Sequence, residues 1–563
     1  MTERRQTTPI DRLADDFVQA YCILNPTMST MLGLPGVDDK MPDYSPDAVA
    51  DVAQLERDFL TAVQAETPQD DVDRVTQAAV VERHGLYLEL HDAGEHLRDL
   101  NVISSPTQDL RDVLDLMPTQ SVEHWENIAA RMKAIPASLS SYREALSLGA
   151  SREMIPAARQ IGEVLQQIDA IADRDTSFFT ALAANASLPD GELSPALRSE
   201  LEEGAADARQ GYADLGAFLT MELAPVAPEQ EGVGRERYQR FSRYFLGAEI
   251  DLDETYEWGR GILAEIVAEQ ESVAAELYGA GTTPEEAIAK LNADPARQLH
   301  GTEALQKWMQ ETSDRAIADL NGTHFDIPEP VQRLECRIAP TQTGGIYYTP
   351  PTGDFSRPGR MWWSVPAGVE TFGTWLEKTT VFHEGVPGHH LQLGQTVYRE
   401  ALLNTWRRMF SWVSGHGEGW ALYAERLMED LGYLSDPGDR MGMLDAQRLR
   451  AARVVLDIGV HLGKPLPAEL GSGTWDRAAA WAFLQANASM DKKTLAFELN
   501  RYLGWPGQAP SYKVGQRLWE QIRDDSVAAA AARGEEFDLK AFHRRALDVG
   551  SVGLDTLRWA LAE

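Results

Sequence analysis

His383 and Glu384 stand side by side in VFHEGVPGHHLQ, the stretch that begins at Val381, and Pro387, His389 and His390 follow within it. Two imidazoles and a carboxylate form the ligand set of a catalytic zinc ion, which keeps a further position open for water. On a continuous helix, a histidine four residues after the first shares its face. A glutamate beside the first can then take a proton from water at the metal. Here the position four residues after His383 is Pro387. The candidate metal ligands are therefore His383 with either His389 or His390, and Glu384 is the candidate general base.

In a continuous helix, His390 would share the face of His383 but lie roughly 10 Å along the axis, too far for a common ion. His389 would point elsewhere. Pro387 removes a helical N–H and drives Val386 out of helical angles, while Gly388 admits unusual ones, so a local bulge is expected. It can return either histidine to the metal, and the spacing leaves both open. A third ligand should come from a later helix. In SGHGEGWALYAERLMEDLG, Glu418 is flanked by Gly417 and Gly419, which leave room for close approach. Glu425, seven residues on and nearly on the same face, can orient a ligand histidine from behind. Glu429 and Asp430 read as exposed acids, and His416 stays outside the ligand set.

Amide hydrolysis also needs a donor aimed at the developing oxyanion. Tyr512, in PGQAPSYKVG, is the candidate, with Gln508 and Lys513 beside it as substrate contacts. RAARVVLDIGVHLG puts Arg453, Asp457 and His461 at four-residue steps on one helical face. That set reads either as a salt-bridge ladder ending on a capping histidine, or as functional. In the functional reading Arg453 meets substrate, Asp457 supports the site and His461 acts in catalysis. In GGIYYTPP, Gly344 and Gly345 allow backbone approach, and Tyr347 and Tyr348 alternate across a strand, so only one of these substrate-binding candidates can face a cleft. Trp362 and Trp363 read as core.

The elements that must position these groups are mostly helices. Up to residue 323, Ala-, Leu-, Glu- and Arg-rich runs such as QAAVVERHGLYLELHDAGEHLRDL carry helical periodicity, broken by Pro/Gly clusters such as NASLPDGELSP. Between 325 and 366, short β-branched or aromatic runs separated by turns predict one small sheet just before the His-Glu helix. The edge of such a sheet can bind an extended peptide. Metal-site helices are expected over 368–432 and further helices over 440–563. The fold class is mainly α: a large multi-helix body of one continuous piece with a deep cleft or channel. Region 1–323 forms one wall and 324–563 carries the site.

Composition narrows the partners. Of 563 residues, 52 are Lys or Arg and 87 Asp or Glu, a net charge of −35, so nucleic acid and anionic membrane surfaces are not expected partners. The two cysteines, Cys22 and Cys336, exclude a cysteine framework and fit a reducing, cytoplasmic setting. No apolar h-region follows the N-terminal arginines and no run of about 18 apolar residues occurs, so neither secretion nor a membrane span is expected. Oligomeric state is not legible.

HEGVPGHHLQ, GEGWALYAERL, RAARVVLDIGVHLG and RYLGWPGQAPSYKVGQRL, in that order, resemble the successive motifs of the bacterial family called domain of unknown function 885. The early LNPTMSTMLGLPGVDDKMPDYS and the middle GGIYYTPPTGDFSRPG resemble it too. In outline that family is similar to the gluzincin peptidases, such as thimet oligopeptidase and angiotensin-converting enzyme: helical bodies with an internal channel and a zinc held by two histidines and a glutamate. The resemblance implies His383 and Glu418 as ligands of one Zn2+ ion and Glu384 as general base. Those peptidases keep the second histidine four residues on, whereas this chain does not. A longer spacing also occurs in dipeptidyl peptidase III. The expected activity is zinc-dependent hydrolysis of short peptides. A small-molecule amide or amino-acid conjugate is the alternative substrate, and an inactive helical binding protein is the alternative without catalysis.

Overall fold

Helical periodicity in the first part of the chain becomes helices with conventional stops and starts. Helix α1 (Val122–Ser151) buries Ile128, Met132, Ile135, Leu139 and Leu146 at three-, four- and seven-residue steps, and the Ser121 hydroxyl caps it by accepting from the His124 N–H. Helix α2 (Pro195–Phe218), entered through Ser194 and Pro195, lays Leu201, Ala205, Ala208 and Leu215 against it. Each such apolar side chain taken from water contributes about 1.5–3 kcal/mol. This pair centres the smaller of two apolar cores. The larger collects Phe17, Phe59 and Ile266 as well as Trp420, Leu456 and Leu557, so it draws on both sides of residue 323. The structure, a computed structural model, describes residues 5–339, 345–366 and 368–562; Gly344 lies outside them.

Helix α3 (Leu252–Tyr278) runs beside α7 (Pro437–Leu462), the long helix that carries Arg453 and Asp457. Between them in sequence come the strands. β2 (Leu334–Ile338), β3 (Ile346–Thr349) and β4 (Gly359–Trp363) form one sheet in the order β2-β4-β3, with β4 parallel to β2 and antiparallel to β3. β1 (Gln298–His300) and β5 (Thr371–Gly373) make a separate antiparallel pair. The small sheet thus precedes the His-Glu helix as the turn pattern predicts. Trp363 is buried, while Trp362 lies on the other face against Tyr347.

The site itself is framed by α4 (Thr374–Glu384), α5 (His389–Tyr398), α6 (Ser414–Asp430), α8 (Lys492–Gly504) and α9 (Ser511–Ala532), together with α7. They surround a cleft of ≈ 750 Å³ whose described lining comes from residues 345–512. The N-terminal region was expected to form a wall of this cleft. From that region the charges of Arg111, Asp112 and Asp115 act on the Tyr347 hydroxyl at the cleft's border. No helix among the described residues is long and apolar enough to cross a membrane, and both cysteines are buried and unbridged.

Candidate metal centre

The Pro-Gly interruption does occur, and it delivers His389. α4 stops at Glu384, and α5 begins at His389 after a turn in which the Gly388 N–H donates to the Phe382 carbonyl (3.0 Å) and the His390 N–H to the Gly385 carbonyl (3.0 Å). The Trp420 indole N–H of α6 clamps the turn from outside, donating to the Pro387 carbonyl at 2.8 Å. Gly388 packs so tightly on the end of α4 that an added Cβ would sit 1.9 Å from the His383 carbonyl oxygen, which only glycine permits. Folding the chain back this way sets the His383 and His389 rings edge to face, 4.9 Å between centroids.

Glu418 meets both. Its Oε2 lies 3.4 Å from His383 Nε2 and 3.4 Å from His389 Nε2. The same oxygen is buried and has no hydrogen bond. Ligand bonds of 2.0–2.2 Å at the tetrahedral angle put neighbouring ligand atoms about 3.3–3.5 Å apart. The two separations from Glu418 therefore match edges of a zinc coordination shell. Glu384 completes the group, with a carboxylate oxygen within 4.8 Å of the histidine nitrogens.

Electrostatics point the same way. Burial opposes a charged His383, yet the Glu418 and Glu425 carboxylates, with Glu384 adding to them, push it up to about 10. Burial likewise opposes a charged Glu418, and the facing His383 and His389 imidazoles hold it well below the usual carboxylate range. Three carboxylates thus converge on two imidazoles in a buried place that favours positive charge. Glu384 behaves differently: burial raises its pKa, against the pull of the two histidines. Of these two carboxylates, Glu418 is the one its neighbours hold ionised, and Glu384 the one that burial pushes toward its neutral form.

Glu425 stands behind His383, accepting from its Nδ1–H at 2.8 Å while Thr379 and Gln447 donate to its other oxygen at 2.9 and 3.4 Å. This fixes the tautomer that leaves Nε2 free for a metal. Glu425→Gln is expected to weaken zinc binding by about 10–100-fold in chelator competition while the fold persists. His389 has no such support, since its buried Nδ1 is unpartnered.

His390 is excluded as a ligand. Its Nε2–H donates to the Val331 carbonyl (2.7 Å) and its Nδ1 accepts from the Tyr348 hydroxyl (2.9 Å), so neither nitrogen is available. Gly417 and Gly419 also serve a purpose other than the expected one. Their missing side chains admit Trp412 and α9 rather than a metal: a Cβ on Gly419 would lie 2.4 Å from the Gly515 carbonyl carbon. That close helix crossing carries Tyr512 into the cleft, where the Glu418 charge reaches its buried hydroxyl.

Other expected contacts move. His461 is enclosed between Tyr238 and the Tyr502 carbonyl, to which its Nε2–H donates at 3.0 Å, and it lines no part of the cleft. Asp457 does not support the metal; it accepts from the Tyr238 hydroxyl (2.8 Å) and the Gly507 N–H (2.9 Å). Lys513 donates to Gln447 and Gln516 (2.6 and 3.0 Å) inside the helix packing, and Gln508 accepts from Arg501 at 2.7 Å, so neither faces substrate. Arg453 does line the cleft, but its salt bridge is to Glu498 at 2.7 Å rather than to Asp457. Tyr347 and Tyr348 both border the cleft; Tyr347 is exposed and Tyr348 is spent on His390.

Burial drives the Asp457 carboxyl up to about 7, against an ordinary value of about 3.9. A raised native pKa means its contribution to stability is present below about pH 4 and lost as pH rises through about 7. Asp457→Asn should therefore lose less stability than wild type between pH 4 and 7, measured by denaturant midpoints across that range.

Three cleft residues carry no motif that would have flagged them. Arg450 and Arg501 look like ordinary helical arginines, and Trp412 like a loop aromatic, yet all three line the cleft. Arg501 donates to the Tyr512 oxygen at 3.3 Å and shares Glu498 with Arg453.

The fold is shared with solved structures of low sequence identity. A protein from Colwellia psychrerythraea described as a "putative lipoprotein" superposes with a TM-score of 0.84 at 22% identity, over 98% of this chain and 98% of that one. A "putative lipoprotein of unknown function" from Shewanella oneidensis gives 0.73 at 15% identity, over 99% and 100%. No curated protein matches the chain. The sequence model described as "Bacterial protein of unknown function (DUF885)" matches residues 26–561, and the chain belongs to that family.

Proposed function

We propose that this protein is a zinc-dependent hydrolase of short peptides. The observation that carries the reading is the pair of 3.4 Å separations joining Glu418 Oε2 to the Nε2 atoms of His383 and His389, with Glu384 at the same point of an enclosed cleft. His383, His389 and Glu418 would hold the ion. When bound, zinc supplies Lewis acidity, polarising a carbonyl and making water a nucleophile at neutral pH. Glu384 takes the proton of the attacking water on its carboxylate and returns it to the leaving amine. Tyr512 donates its O–H toward the developing oxyanion. Arg501 supports this by donating to the phenol oxygen, which leaves the phenol proton free for the cleft.

Substrate size follows from access. A folded protein does not enter a helix-walled cleft of ≈ 750 Å³, whereas a short extended peptide does. β3 pairs only with β4 among the described strands, and its residues Ile346, Tyr347 and Tyr348 border the cleft. Its other edge can therefore take a substrate backbone by strand addition. In its ligand types and its neighbouring glutamate base the arrangement is like that of the gluzincin peptidases, with the second histidine six residues after the first instead of four.

The test is metal analysis followed by digestion of a short-peptide library, read by mass spectrometry. One zinc per chain and cleavage abolished by chelation are expected. Zinc binding without cleavage of any peptide would overturn the peptide assignment in favour of a small-molecule amide, and absence of bound zinc would overturn the hydrolase reading altogether.

A further inference from the structure

Arg450 is a cation of the cleft that no carboxylate holds in an ion pair among the described residues. It projects from the face of α7 that also presents Leu449 and Arg453 to the cavity. Its one hydrogen bond is from Nη1 to the Ala446 carbonyl of its own helix, at 3.3 Å, and it forms no ion pair among the described residues. Its Nε is buried and unpartnered. The other two arginines of the cleft differ: Arg453 and Arg501 are both held by Glu498, at 2.7 and 3.3 Å. In a chain of net charge −35, no acid among the described residues stands within ion-pair distance of Arg450.

A guanidinium left without a counter-charge in a partly dehydrated cavity is costly until an anion arrives, and its planar fork matches a carboxylate with two parallel hydrogen bonds. Its position says which carboxylate. The Arg450 charge is felt by Glu384, Glu425 and Asp445, so it lies near the His383–Glu384–His389 cluster in the same cleft. Charges act on one another this way over a few ångströms, and an extended peptide residue spans about 3.4 Å. Arg450 and Glu384 line the same cleft, so a short extended peptide can meet both.

We propose that Arg450 binds the free C-terminal carboxylate of the substrate, so that the protein removes one or two residues from the C-termini of short peptides. This rests on the hydrolase reading above. The carboxylate keeps its charge throughout; the amide bond one or two residues before it is the one broken, its carbonyl carbon gaining the water oxygen and its nitrogen leaving with the proton from Glu384.

The experiment compares one peptide with a free C-terminal carboxylate and the same peptide as its C-terminal amide, on the zinc-loaded full chain. The free acid should be cleaved with kcat/KM about 10–100-fold higher, the worth of a charge-assisted pair, releasing one or two residues. Arg450→Gln should erase the difference, chiefly through a higher KM for the free acid, and Arg450→Lys should keep part of it. Equal cleavage of acid and amide by wild type overturns the assignment, as does an equal loss on both substrates in Arg450→Gln. If neither peptide is cleaved, calorimetry on the Glu384→Gln protein decides separately. Tighter binding of the acid, lost on adding Arg450→Gln, upholds the subsite even though the hydrolase reading fails, and equal binding overturns it.

Discussion

Glu384→Gln should lower kcat for short-peptide hydrolysis by about 10²–10⁴-fold while one zinc ion per chain is retained, because a positioned general base contributes about that much. Glu384 is not needed to hold the ion: Glu418 Oε2 is the oxygen set 3.4 Å from both histidine Nε2 atoms. The glutamine fills the same space without adding charge, but it cannot take a proton from water. Burial already raises the Glu384 pKa, so the neutral amide imposes little extra strain on the fold. Zinc content by mass spectrometry and turnover of one cleaved peptide separate the two roles. A variant that loses its zinc as well would show that Glu384, rather than Glu418, is the third ligand.

The second large effect distinguishes two adjacent histidines. His389→Ala should lose zinc by more than the about 10–100-fold that removal of an outer partner costs, and peptide hydrolysis with it. His390→Ala should keep both. Its penalty lies in folding, because the Val331 carbonyl and the Tyr348 hydroxyl would be left buried without the partners they now have at 2.7 and 2.9 Å. Each such orphaned group costs about 1–3 kcal/mol. The expected pattern is a stable, metal-poor His389→Ala protein and a metal-replete His390→Ala protein with a lower thermal midpoint. Equal zinc loss in both would contradict the assignment.

Much of this centre was legible in residue types and spacing. Helical periodicity, the turn-rich run before residue 366 and the succession of family-like motifs gave a mainly α chain with a sheet leading into the His-Glu helix. These are local features, set by the chain's own dihedral preferences and by which residues share a face. The same local chemistry announced the break at Val386-Pro387-Gly388 and made Glu418 and Glu425 candidates with distinct tasks.

What tertiary structure alone decided were questions about partners far away in sequence. Whether His389 or His390 joins His383 and Glu418 depends on a strand tyrosine 42 residues before His390 and a carbonyl 59 residues before it, which occupy both nitrogens of His390. Arg453 and Asp457 are correctly spaced for a helical ion pair, yet Glu498, 45 residues beyond Arg453, takes the guanidinium. Arg450, on the same helix, forms no ion pair among the described residues. The reason is common to all three. Spacing determines which side chains share a face, but a buried polar group is committed by whatever donor, acceptor or charge the packing brings against that face.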